Sequence, residues 1–135
     1  MRLKKNNTAL VTLLLIYTSF FSSIQGQTNL ETQKWIHGSE NCKKNTDEPI
    51  QVVQYDKNTW ILRQNKCTNF EAPFMFLLFG KEKALLMDTG ATKTQKSFPL
   101  FKTVEKIMNT WQKDNETKVE LIVAHTHKHG DHYAA

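Results

Sequence analysis

Apolar residues in this chain fall into short blocks separated by polar turns, and the spacing within each block differs. IQVVQY (Ile50–Tyr55) and TWILRQ (Thr59–Gln64) are β-rich runs around the turn-forming DKN, which predicts a hairpin. FMFLLF (Phe74–Phe79) and ALLMD (Ala84–Asp88) are continuously apolar and flank the polar GKEK (Gly80–Lys83). Continuous runs with a tight connection predict antiparallel strands buried on both faces. The second run leads into DTGAT, where Asp88, Thr89 and Gly90 mark a sharp exit. From Pro99 the period changes: Leu100, Val104, Ile107, Met108 and Trp111 recur at helical spacing, with Lys102, Glu105, Lys106 and Gln112 largely on the other face. The pattern fades at KDNETK, and VELIVA (Val119–Ala124) predicts a further buried strand. Strand, turn, helix and strand make a β-α-β unit, and the whole predicts an α/β fold with layered α+β architecture.

Two stretches stand outside this pattern. Residues 27–49 are polar and poorly periodic and predict an amino-terminal arm, in which His37 is a lone surface residue. At the start of the chain, Arg2, Lys4 and Lys5 precede an apolar run from Ala9 to Phe21, followed by the small and polar SSIQGQ. That is the layout of a secretory signal peptide spanning residues 1–26. Its apolar run of 13 residues is short of the ~20 that cross a bilayer, so no stable membrane insertion is expected after cleavage. An uncleaved anchor is the alternative. The expected compartment is the periplasm or the cell exterior.

Charge changes the picture only through this segment. It holds three of the 18 basic residues and none of the 13 acidic ones, so its removal lowers the formal charge from +5 to +2. No basic stripe interleaved with aromatics remains, which argues against a nucleic-acid partner. The two cysteines, Cys42 and Cys67, suit a disulfide in an exported chain; the alternative is two unpaired small hydrophobes. There is no CxxC, so a cysteine zinc site is not expected.

The chemistry concentrates in HTHKHGDH (His125–His132), which carries four of the five histidines just past the carboxyl end of a buried strand. In layered α/β folds sites are built at that edge. If the backbone stays extended, His127, His129 and Asp131 project to one side and Lys128 points away. Gly130 permits a tight turn, after which His132 approaches from another direction. Imidazole and carboxylate suit zinc, and also iron or manganese. His125 has the same parity, yet a ligand set starting there loses its close spacing, so it is expected to support the site from behind. Asp131 also suits the cap of a helix beginning at His132, a role compatible with ligation. A solvated loop that picks up metal adventitiously is the rival reading of the cluster.

Thr126–His132 (THKHGDH) resembles the HxHxDH signature of the metallo-β-lactamase-fold hydrolases, and LLFGKEKALLMDTGAT resembles that family's strand–turn–strand entering an Asp-Thr-Gly loop. The resemblance covers roughly residues 50–135. It implies the amino-terminal half of an αββα sandwich that holds two zinc ions, with His127 and His129 on one and Asp131 and His132 on the other. Asp88 would support the metal-bearing loop from behind. The implied reaction is hydrolysis of a small-molecule ester, thioester, lactone or amide, including a β-lactam. Water activated by the metal attacks the carbonyl, and Asp131 orients it. The chain departs from the pattern at Tyr133, Ala134 and Ala135, where the family often carries glycines, and it stops there. A complete domain supplies a further histidine, a bridging aspartate and a final histidine, so the expectation is of a fragment that is weakly active or inactive. The rival class is a small exported zinc-binding module without catalysis.

Overall fold

The computed structural model describes residues 26–135. The expected signal peptide, apart from its last residue, lies outside them. Five strands form one sheet in sequential order: β1 (Ile50–Asp56), β2 (Thr59–Gln64), β3 (Phe74–Phe79), β4 (Lys83–Met87) and β5 (Glu120–Ala124). Neighbours are antiparallel up to β4, whereas β4 and β5 run parallel, with Lys83 opposite Glu120 and Met87 opposite Ala124. The parallel pair requires a crossover, and α1 (Leu100–Asp114) supplies it. The first hairpin turns at Lys57 and Asn58, where Asn58 N–H donates to Asp56 Oδ1 at 2.7 Å. A short helix, α2 (Gly130–Tyr133), follows β5.

One sheet face and α1 make the core. Strand alternation puts Trp60, Leu62, Met75, Leu77, Phe79, Ala84 and Leu86 on that face, and α1 lays Leu100, Val104, Ile107 and Trp111 against them. The Trp111 ring stacks on Phe79 at 4.4 Å, and its indole N–H donates to Lys57 O at 3.0 Å. The aromatic body fills the core while its single polar atom is satisfied in the β1–β2 turn.

The other face corrects the expectation of strands buried on both sides. Phe74, Phe76 and Leu78 alternate half-buried with buried neighbours, and Leu85 and Met87 do the same in β4. β5 departs furthest. Ile122 is 40% and Val123 49% exposed, and only Val119, just before the strand, is buried. A continuous apolar run cannot distinguish a strand covered twice from one covered once, because layer count is a tertiary property.

The arm covers part of this second face, at the β1–β3 end. Gln51 accepts from Ile36 N–H at 2.9 Å and donates to Lys34 O at 2.8 Å, while Trp35 meets the Phe74 ring edge-on at 4.9 Å. Arg63 lies 4.2 Å over the same Phe74 ring. Cys42 and Cys67 form a disulfide that joins the arm to the β2–β3 loop. Asn65, buried beside it, accepts from Cys67 N–H and donates to Glu48 O. No helix among the described residues is long and apolar enough to cross a membrane.

The bridge closes a loop of 25 residues, for which chain entropy gives about 3.5 kcal/mol of stabilisation. Replacing both cysteines by serine is expected to lower the unfolding free energy by about 3–4 kcal/mol in urea titration under oxidising conditions, with no loss in reducing buffer, where the wild type has the same open chain.

Candidate metal centre

Two parallel strands end side by side, and the residues that follow them meet. Asp88 leaves β4 with φ +64°, a left-handed conformation that Asp tolerates better than most residues. Its N–H donates to Ala124 O at 2.8 Å, which closes the β4–β5 ladder. Its carboxylate is 3% exposed as a residue and aims across at the β5 exit. There it accepts Thr126 N–H at 2.7 Å, the Thr126 hydroxyl at 2.9 Å and His132 Nδ1–H at 2.7 Å. Burial pushes this carboxyl upward, but the His132 and Thr126 hydrogen bonds outweigh it and hold the group below its ordinary range. The hydrogen bond to Asp88, opposed by burial and helped by the charges of Asp88 and Asp131, raises His132.

The backbone past β5 does not stay extended. It bends at Thr126–His129 and enters α2 at Gly130, so the alternation expected for His127, His129 and Asp131 is replaced by a turn. The turn folds His132 back over the strand ends. Ligand atoms of His127, Asp131 and His132 then lie within 4.8 Å of one another. The rings of His127 and His132 are 3.9 Å apart, and His132 Nε2 is 3.1 Å from Asp131 Oδ2. Converging atoms thus come from both of the pairs that the family resemblance implies. His129 precedes α2 as its amino-terminal flanking residue, and its ring meets that of His127 edge-on at 4.7 Å. Asp131 lies in the first turn of α2 and does not cap it.

His125 stands behind this group: its Nδ1 lies 2.9 Å from His132 O, and its ring is edge-on to Tyr133. Thr126, which no ligand pattern in the sequence marks, joins the group. Its hydroxyl is 3.2 Å from His127 Nδ1 and 3.0 Å from His132 Nδ1 while donating to Asp88. With Nδ1 of both rings engaged by the Thr126–Asp88 pair, Nε2 of each is the nitrogen left for a cation, which at His132 would displace the proton shared with Asp131. Two imidazoles and a carboxylate match the donor set of zinc, and their separation suits a shared ion. Thr126 had a faint signal, being a hydroxyl between two histidines of the motif.

The exposure of the cluster is high: His127 and His129 are open to solvent and Asp131 and His132 half-buried. A cleft of about 710 Å³ lies elsewhere, between the β1–β2 hairpin and α1, floored by Trp60, Ile107 and Trp111, and no residue of the histidine cluster lines it.

The Asp88–His132 pair dictates a pH response in metal-free protein. His132 titrates above its ordinary 6.5, so its contribution is complete below that value and is lost as pH rises through the raised value. Asp88 titrates below 3.8, so its contribution is complete above that value and is lost in stronger acid. Stability is expected to fall in thermal melts as pH rises above the ordinary imidazole value of 6.5 and through the raised value of His132, and Asp88→Asn should flatten this slope while costing about 2–3 kcal/mol in mildly acidic buffer. Asn tolerates the same backbone conformation, so the loss reports the charge. A slope unchanged in Asp88→Asn refutes the assignment. No family model matches the chain, and no curated protein matches it.

Proposed function

We propose that the chain is an exported metal-dependent hydrolase of the metallo-β-lactamase kind, with zinc as the metal. One observation carries this reading: His127, Asp131 and His132 converge within 4.8 Å, on strand ends that Asp88 ties together. His127, Asp131 and His132 would hold the ion, with His129 beside His127. When bound, zinc supplies a Lewis acid that lowers the pKa of water toward neutrality and polarises a carbonyl oxygen. The protein's own groups divide the remaining work. Asp88 and Thr126 keep both imidazoles in one tautomer and one orientation. Asp131, 3.1 Å from His132 Nε2, is the carboxylate placed to orient a water molecule and take its proton. The substrates that fit are small esters, thioesters, lactones or amides. The disulfide and the basic, then apolar, start of the chain support export to the periplasm or the cell exterior.

Open exposure of the cluster favours one alternative, a module that captures zinc without catalysis. Zinc binding and turnover separate the two. Equilibrium dialysis of the full chain is expected to show one or two tight zinc equivalents, and His132→Ala or Asp131→Ala should weaken binding at least about tenfold. Zinc-dependent hydrolysis of an ester, thioester, lactone and β-lactam panel, lost in both variants, supports the hydrolase. Binding without turnover assigns capture and not catalysis to these residues by themselves, and absence of tight binding defeats both.

A further inference from the structure

We propose that Gln64 is a positioning residue for the metal cluster: its buried carboxamide holds the Gly90–Thr92 turn, and that turn sets the orientation of α2 and His132. The inference deepens the metal reading above, on which only its metal-binding measurement rests. Gln64 ends β2 at 0% exposure, on the same sheet face as Trp60 and Leu62. A carboxamide in that position destabilises the fold unless its donor and acceptor are both used. Both are: Nε2 donates to Thr92 Oγ1 at 2.8 Å, and Oε1 accepts Ala91 N–H at 2.8 Å. Approach is close enough to demand glycine at the next position. A Cβ on Gly90, where φ is +78°, would sit 2.8 Å from Gln64 Oε1 and from the Phe98 ring.

What the turn holds explains why this matters. Thr89 N–H donates to His132 O at 2.7 Å, and Gly90 O accepts Ala134 N–H at 3.0 Å. Together with the Asp88 carboxylate on His132 Nδ1, these contacts dock α2. A helix of four residues has no stability of its own and takes its orientation from such contacts. Gln64 grips the segment from behind, at the positions immediately after them. Asn69 adds one weaker brace, donating to Ala91 O at 3.0 Å. Both side chains lie at the sheet edge that carries the cluster, but only Gln64 is fully enclosed.

The test compares wild type with Gln64→Met, which keeps the volume and removes both hydrogen bonds. Thr92→Val removes one bond at a half-buried residue and decides the question if Gln64→Met does not fold. Ile107→Val, in α1, serves as a destabilised control that leaves the turn intact. In metal-free protein, amide hydrogen exchange at Thr89, Thr126 and Ala134 is expected to accelerate about tenfold or more in Gln64→Met, and less in Thr92→Val, while β3 and β4 amides hold their wild-type rates. Cobalt(II) affinity, read by optical titration, should fall about tenfold in Gln64→Met and stay unchanged in Ile107→Val. Unchanged exchange at the three junction amides overturns the proposal. So does acceleration of junction and strand amides by the same factor, or an undiminished cobalt affinity alongside wild-type binding. A wild-type chain that binds no cobalt refutes the metal reading instead, and the exchange pattern then decides the positioning role alone.

Discussion

A single buried carboxylate holds together the end of this molecule where the histidines gather. Asp88 stands at the close of β4 and receives three hydrogen bonds from residues beyond β5, 38 and 44 positions later in the chain. An ionised carboxylate out of water is costly unless several donors surround it, and here the donors are the backbone of Thr126, its hydroxyl and an imidazole. The arrangement works in both directions. The donors keep Asp88 charged, and Asp88 keeps the bend at Thr126–His129 closed over the strand ends. Without that grip nothing in local propensity would fold His132 back toward His127.

The sheet supplies the frame for this junction through asymmetry. One face is packed by α1 and its apolar stripe, which aligns the carboxyl ends of β4 and β5 by fixing the crossover between them. The opposite face is covered at its β1–β3 end by the arm, which the Cys42–Cys67 bridge and the Asn65 hydrogen bonds attach. β5 is left with an open edge and exposed apolar side chains. The support of the cluster is correspondingly one-sided: Asp88, Thr126 and the Gln64-braced turn lie behind it, while His127 and His129 face solvent.

Much of the frame was legible beforehand, for physical reasons that differ by element. The β1–β2 hairpin, the strands on either side of GKEK, the amphipathic α1 and the parallel return of β5 all follow from hydrophobic period and turn chemistry, which are local. The disulfide was one of two open readings of its cysteines. The burial of FMFLLF and VELIVA was not legible, because an apolar run reports what a strand tolerates, and coverage depends on which layers reach it. The backbone path through the histidine cluster was legible only in part. The turn that lets His132 approach from another direction follows from Gly130, but the bend begins earlier, at Thr126, so His127, His129 and Asp131 do not share an extended side. Gln64 left a subtle trace, a polar residue whose parity with Trp60 and Leu62 puts it on the buried side.

Sequence by itself determined the kinds of atom available: four histidines and an aspartate in eight residues, delivered at a strand end, with an Asp-Thr-Gly exit upstream. It also determined the elements that carry them, because period-two and period-3.6 patterns are properties of neighbouring residues. Tertiary structure alone decided which of those atoms converge and which nitrogen each imidazole leaves free. Those outcomes depend on the contact between Asp88 and the β5 exit, a pairing between distant positions that no local pattern encodes. A hydrogen-bonded carboxylate selects one ring tautomer and one loop conformation, and it can do so only after the sheet has brought the two strand ends together.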